Sequence, residues 1–272
     1  MTISEESWIN YIDSLRKVND KAANLMLEFM DLHRDADGLW NSIEARQAII
    51  EYAYGISGKY GEAAAELACE MYDAVGALSD VIIPAAVPAE VPTYADIAKA
   101  VNGVLKQSAE AEMVASAVAR QVKMVSVDTV MKNALRDGAQ WAWIPHGDTC
   151  AFCLALAANG WQNASKKALK HGHAQHIHAN CDCTYAVRFD TNTEVEGYNS
   201  EDYMEDFQKA LDDQGIDENV ESLHYQQMNS EALNALRREN YAKNSEKINA
   251  QKRSAYAKRQ ELEASAAEEI EV

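Results

Sequence analysis

No run of about 18 apolar residues, the length a helix needs to cross a bilayer, occurs in this sequence. Its most apolar loop-like stretch, Val81 to Val91, is interrupted by Pro84 and Pro88, so no membrane span is expected. Positive charge is also short: 25 Lys and Arg stand against 43 Asp and Glu, a formal net charge of -18. Nucleic-acid binding is driven by release of counterions from phosphates, so the surface as a whole is excluded as a nucleic-acid grip and only a local basic patch could serve. Met1 to Trp8 is acidic and polar where a signal peptide is basic and then apolar, so export is not expected. Common catalytic signatures are missing as well: there is no Gly-x-Ser-x-Gly, no Walker-type phosphate loop and no His-Glu-x-x-His.

What is present is enough apolar material, 47% of 272 residues, to build a substantial core without disulfide staples. Five cysteines in a chain without an export signal point to a reducing compartment, where close cysteine pairs hold metal more often than they form bridges. Cys69 stands apart from the others in the Ala-rich segment Glu62 to Leu78 and reads as a buried, inert thiol.

Helical periodicity dominates the first half. Trp8, Tyr11, Ile12 and Leu15 recur at spacings of three and four in a helix from Glu5 to about His33, with Ser4 placed to cap it. A second helical stretch runs from about Ser42 to Leu78, with a break expected near Gly55 to Gly61. Three of the four prolines, Pro84, Pro88 and Pro92, favour an extended segment and mark a boundary. Thr93 begins a further helical region, whose second part carries Val114, Val118, Val122 and Val125 on one face and ends near Gly138.

After Gly138 the texture changes. Trp141 and Trp143 alternate with Ala142 and Ile144, as in a short strand, and Tyr185, Val187 and Phe189 suggest a returning strand that pairs with it around the cysteines. Glu194 to Glu231 is strongly acidic, and Val220 to Ala267 has helix-forming composition with few large apolar residues, as expected of a long exposed or partly disordered helix. Within it, Arg237 to Arg259 holds eight Lys and Arg against two Glu. This is either a solvated helix face or a docking arm for a partner subunit or DNA. The fold class that follows is mainly α with a small β/zinc-knuckle subdomain. Its expected parts are a helical region 1–83, a linker 84–92, a core 93–190 with the knuckle at 139–190, and a charged tail 191–272.

The cysteines and histidines carry the chemistry. Cys150-Ala-Phe-Cys153 puts two thiolates on a tight turn, and His178-Ala-Asn-Cys181-Asp-Cys183 supplies three more donors. Five candidates compete for four tetrahedral positions, and the gap 154–177 is long enough for the two groups to meet. This soft donor set favours Zn2+. Because the ligands converge from separated segments, binding would contribute to folding on the order of 10 kcal/mol, a structural role. His171, His173 and His176 crowd the same loop and could serve a catalytic zinc with an open position, but the glutamate of a nucleobase deaminase is missing: His146-Gly-Asp148-Thr precedes the first cysteine. A cysteine nucleophile at Cys150 or Cys153, or thiols that bind no metal, are the remaining readings.

At these residues the chain resembles the Mu F-like minor capsid, or head morphogenesis, proteins of tailed bacteriophages. The resemblance rests on Gly147-Asp-Thr-Cys-Ala-Phe-Cys-Leu-Ala-Leu-Ala157, on Gly160 with Trp161 beyond it, and on His178-Ala-Asn-Cys-Asp-Cys183, and it covers about Met113 to Asp190. Ala179 stands where the family pattern has proline. The resemblance implies a small zinc domain following long helices, in a phage-head protein of few copies associated with the portal and the packaged genome. It would act in procapsid assembly or DNA delivery, in the virion and, during assembly, in the host cytoplasm, and the resemblance implies no reaction. The competing functions are a treble-clef-like zinc nuclease, which would need a basic groove that 139–190 lacks, and a zinc-stabilised protein-binding scaffold.

Overall fold

Helix α1, Glu5–Leu32, begins where Ser4 accepts a hydrogen bond from the Ser7 amide at 3.2 Å, so the expected cap is in place. A computed structural model of the chain describes residues 2–34, 40–107, 110–147, 149–165, 183–213, 236–239, 241–247, 249–250 and 253. The architecture is mainly helical, and the described residues fall into two compact units: Met1–Ala142 with Trp161–Tyr198, and Trp143–Gly160 with Asn199–Val272. No described helix is long and apolar enough to cross a membrane.

In the first unit, α1 buries Trp8, Tyr11, Ile12, Leu15, Ala22, Met26 and Met30 along one stripe. The buried Trp40 donates its indole N–H to the Met30 carbonyl at 2.9 Å and accepts at its own carbonyl from Arg46 Nε at 3.1 Å. Helix α2, Ile43–Leu78, is capped by Ser42 and runs 36 residues without the break expected near Gly55 to Gly61. Each glycine costs a helix about 1 kcal/mol relative to alanine, and at Gly61 close packing offsets this. At Gly61 a Cβ would lie 3.1 Å from Val125 and 3.2 Å from Val91, so the missing side chain lets those two valines approach the helix closely.

Residues 79–93 form an extended strap. Pro84 and Pro88 have no N–H, and two of the amides between them find side-chain acceptors: Ala86 donates to Asp73 and Val87 to Asn133, while Ala89 donates to Thr129. Asn133 returns a bond to the Val87 carbonyl at 2.8 Å, and Arg136 reaches the Pro84 and Ala85 carbonyls at 3.1 Å. Helix α3, Tyr94–Leu105, then starts at a Thr93/Asp96 capping box. Helix α4, Ala111–Asp137, ends at Gly138, whose φ of 67° supplies the left-handed terminus that glycine adopts without strain. Helices α1, α2 and α4 pack on one another, and α3 rests on α2 and α4.

Strand β1, Thr2–Ile3, pairs in parallel with β5, Glu194–Val195. The larger sheet has the order β3-β2-β4, with β2 at Gln140–Ile144, β3 at Gln162–Asn163 and β4 at Thr184–Arg188. The two strands expected from alternation are therefore neighbours, with β3 added antiparallel on the other edge of β2. In the second unit α5, Ala151–Ala158, packs on α6, Ser200–Asp213, and residues 236–239 and 241–247 are helical.

Candidate metal centre

The Cys150/Cys153 pair belongs to the second unit and is built around the start of α5. Gly147, at φ 64°, turns the chain, and the buried Thr149 hydroxyl donates to the backbone carbonyls of His146 or Gly147 at 3.1 and 3.2 Å. Cys150 then occupies the N-cap with extended backbone angles, and its carbonyl accepts the first helical bond from Leu154 at 3.2 Å. Its side chain makes no capping hydrogen bond. Cys153 is the third residue of the helix, so the pair occupies the two positions that Ser and Glu hold in a capping box, where side chains converge over the first turn. The unsatisfied N–H groups and the dipole at a helix N-terminus favour the thiolate, the form that binds metal. Cys150 is half-buried and Cys153 fully buried.

Helix α5 is apolar throughout, and Cys153 to Ala158 are buried without interruption, so the pair sits on a rigid element. Its far end is fixed by Gly160 at φ 62°, where a Cβ would come within 2.9 Å of Ser200 Oγ at the head of α6.

Cys183 lies in the first unit, 1% exposed, immediately before β4. That strand is held on several sides. Tyr185 meets Trp141 edge to face at 4.8 Å, and Arg188 donates from Nε to Gln140 at 2.8 Å while its guanidinium lies over the Trp161 ring at 4.6 Å. Burial lowers the Arg188 pKa, opposed by Asp190 and Glu194. Beside Cys183, Thr184 faces Tyr11 closely enough to influence its ionisation, although neither hydroxyl completes a well-formed hydrogen bond. Burial pushes the Tyr11 phenol well above its ordinary pKa, which keeps it neutral.

The described residues thus carry three of the five ligands expected from the sequence. His178 and Cys181 lie outside the described residues, as do His171, His173 and His176. Among the described residues no cluster of three or more metal-ligating side chains forms. Cys69 is half-buried on α2, and its thiol pKa is raised by burial first and then by Asp73 and Glu66, the opposite of a reactive thiolate. Sequence reading overlooked the grip of Arg188, Gln140 and Trp161 on β4, for which an arginine ending an apolar strand was the available signal.

Comparison with known proteins shows a phage protein but does not show the Mu F-like family. No curated protein and no solved structure matches the chain. A family model described as VG15 protein matches residues 2–210, from β1 into α6. With the match spanning most of its length, the chain belongs to the VG15 protein family, a family of phage proteins.

Proposed function

We propose that this chain is a minor head protein of a tailed phage, of the Mu F-like kind, which associates with the portal and capsid proteins and acts in procapsid assembly or genome packaging and delivery. The observation that carries this reading is the phage-family match over residues 2–210, to which the cysteine pattern adds its own likeness. In this reading the protein resides in the virion head, and in the host cytoplasm during assembly. Its basic stretch within 237–259 is the part with the charge to contact packaged DNA.

The metal is structural Zn2+ in the same reading, and the protein is not an enzyme. Cys150 and Cys153 fit half of such a site, being thiols at helix positions N-cap and N3 where thiolates are favoured. Two of His178, Cys181 and Cys183 complete four-coordination, which leaves no open position for an activated water. Quantitative mass spectrometry of purified phage particles tests the assignment. The chain is expected at a few copies per head, and its absence from both procapsids and mature particles would contradict it.

A further inference from the structure

In the first unit, α3, the middle of α4 and the end of the strap line an open groove of about 810 Å³. Each helix contributes one stripe: Lys99 and Gly103 lie four residues apart on α3, and Met124, Asp128 and Lys132 follow at the same spacing on α4. Val104 and Val125 add apolar lining. Among the described residues the half-buried Asp128 makes no hydrogen bond and no ion pair. Burial pushes its carboxyl above the ordinary value, and the charge of Lys132, one turn on, only partly opposes this. A partly desolvated carboxylate without a donor is unfavourable for the chain alone, and a cationic donor from outside would relieve it. Gly103 leaves α3 bare in the same groove, because a Cβ added there would meet nothing within 4 Å.

We propose that this groove is a docking site for a basic amphipathic helix of a partner protein, which lays its apolar face on Val104, Met124 and Val125 and brings a lysine or arginine to Asp128. Size and charge select that occupant. The 12 residues of α3 make a wall about 18 Å long, the length of a three-turn helix, and such helices bind grooves through apolar anchors three and four residues apart. Lys99 and Lys132 also line the groove, but both are exposed, so water and salt screen them, whereas the charge of the half-buried Asp128 is screened less. A net charge of -18 steers basic partners toward the chain and repels a second copy of it. Neither the zinc site nor the head-protein reading is needed for this docking.

The test measures fluorescence anisotropy with the full chain at physiological salt and two labelled peptides, each with leucines at helical spacing and either lysine or glutamate elsewhere. The lysine peptide should bind with a Kd below about 100 µM, and the glutamate peptide about tenfold more weakly. Gly103→Leu fills the open space with a better helix former, so the protein should stay folded while the lysine peptide binds about tenfold more weakly. Asp128→Asn keeps the shape and removes the charge, and should also weaken binding about tenfold. Asp80→Asn, at an exposed position, is the matched loss of one charge and should leave binding within about twofold. Circular dichroism and thermal melting check that each variant is folded. No saturable binding of the lysine peptide, or binding that a folded Gly103→Leu protein retains, overturns the docking site. A glutamate peptide that binds as tightly as the lysine one overturns the basic partner. Equal effects of Asp128→Asn and Asp80→Asn would mean that the peptide reads general acidity, and overturn the role of Asp128.

Discussion

Serine is among the best N-cap residues, so a position that only caps α5 should gain from Cys150→Ser, by about 1 kcal/mol. A zinc ligand should lose. The two roles therefore predict opposite signs for one substitution, and we expect Cys150→Ser to lower both thermal stability and retained zinc, as Cys153→Ser should. Cys69→Ala, on α2, is expected to leave zinc content unchanged, and loss of metal in that variant would show a different ligand set. Replacing His171 and His173 together should leave stability and assembly intact. A folded double variant that loses a measurable hydrolytic activity would instead favour a catalytic zinc. A second residue-scale prediction concerns Asp137, 4% exposed at its side chain. It accepts two bonds from Arg136 at 2.7 Å and one from the Tyr72 hydroxyl at 2.8 Å, and the Arg136 bonds lead in holding its carboxyl below the usual range. A folded-state pKa below the unfolded value means this stabilisation is complete above about pH 4 and is lost as pH falls through the folded pKa. Melting temperature followed from pH 7 to pH 3 should fall less steeply in Asp137→Asn than in wild type, and equal slopes would sink the assignment.

At the scale of elements, local chemistry made the helix ends legible. Ser4, Ser42, Thr93 and Gly138 each do what their residue type suggests, because capping depends on a few neighbouring atoms. The break expected at Gly55 to Gly61 is absent: Val125 and Val91 pack against Gly61, while a Cβ would meet nothing within 4 Å at Gly55 and Gly58. The strap was legible as extended from its prolines, but its fastening was not. The signal was present in α4, where Thr129 and Asn133 interrupt an apolar face at helical spacing and both turn out to bind strap backbone. Asn133→Ala removes the partner of the Val87 N–H and C=O, and should destabilise the protein by about 1–3 kcal/mol in urea unfolding. A change within about 0.5 kcal/mol, the usual range for a neutral surface site, would mean the strap is held by other contacts.

For the molecule as a whole, composition and pattern were enough to read a mainly helical chain with a short sheet beyond Gly138, since both depend on periodicity. The described tail residues from 237 onward are helical and mostly exposed, as the composition suggests, but Leu236 is buried and Lys243 finds Asp206 across more than thirty residues of sequence, a pairing no local pattern discloses. The same limit applies to the metal centre. Spacing identifies candidate donors but leaves five for four places, and the structure describes Cys150, Cys153 and Cys183 while His178 and Cys181 lie outside the described residues. The most direct measurement is elemental analysis of the full chain purified without chelator, together with its melting temperature before and after chelation. About one zinc per chain, with a clear fall in melting temperature on removal, is the result expected of a structural site. A fully folded protein that contains no zinc and melts at the same temperature with or without chelator would contradict it.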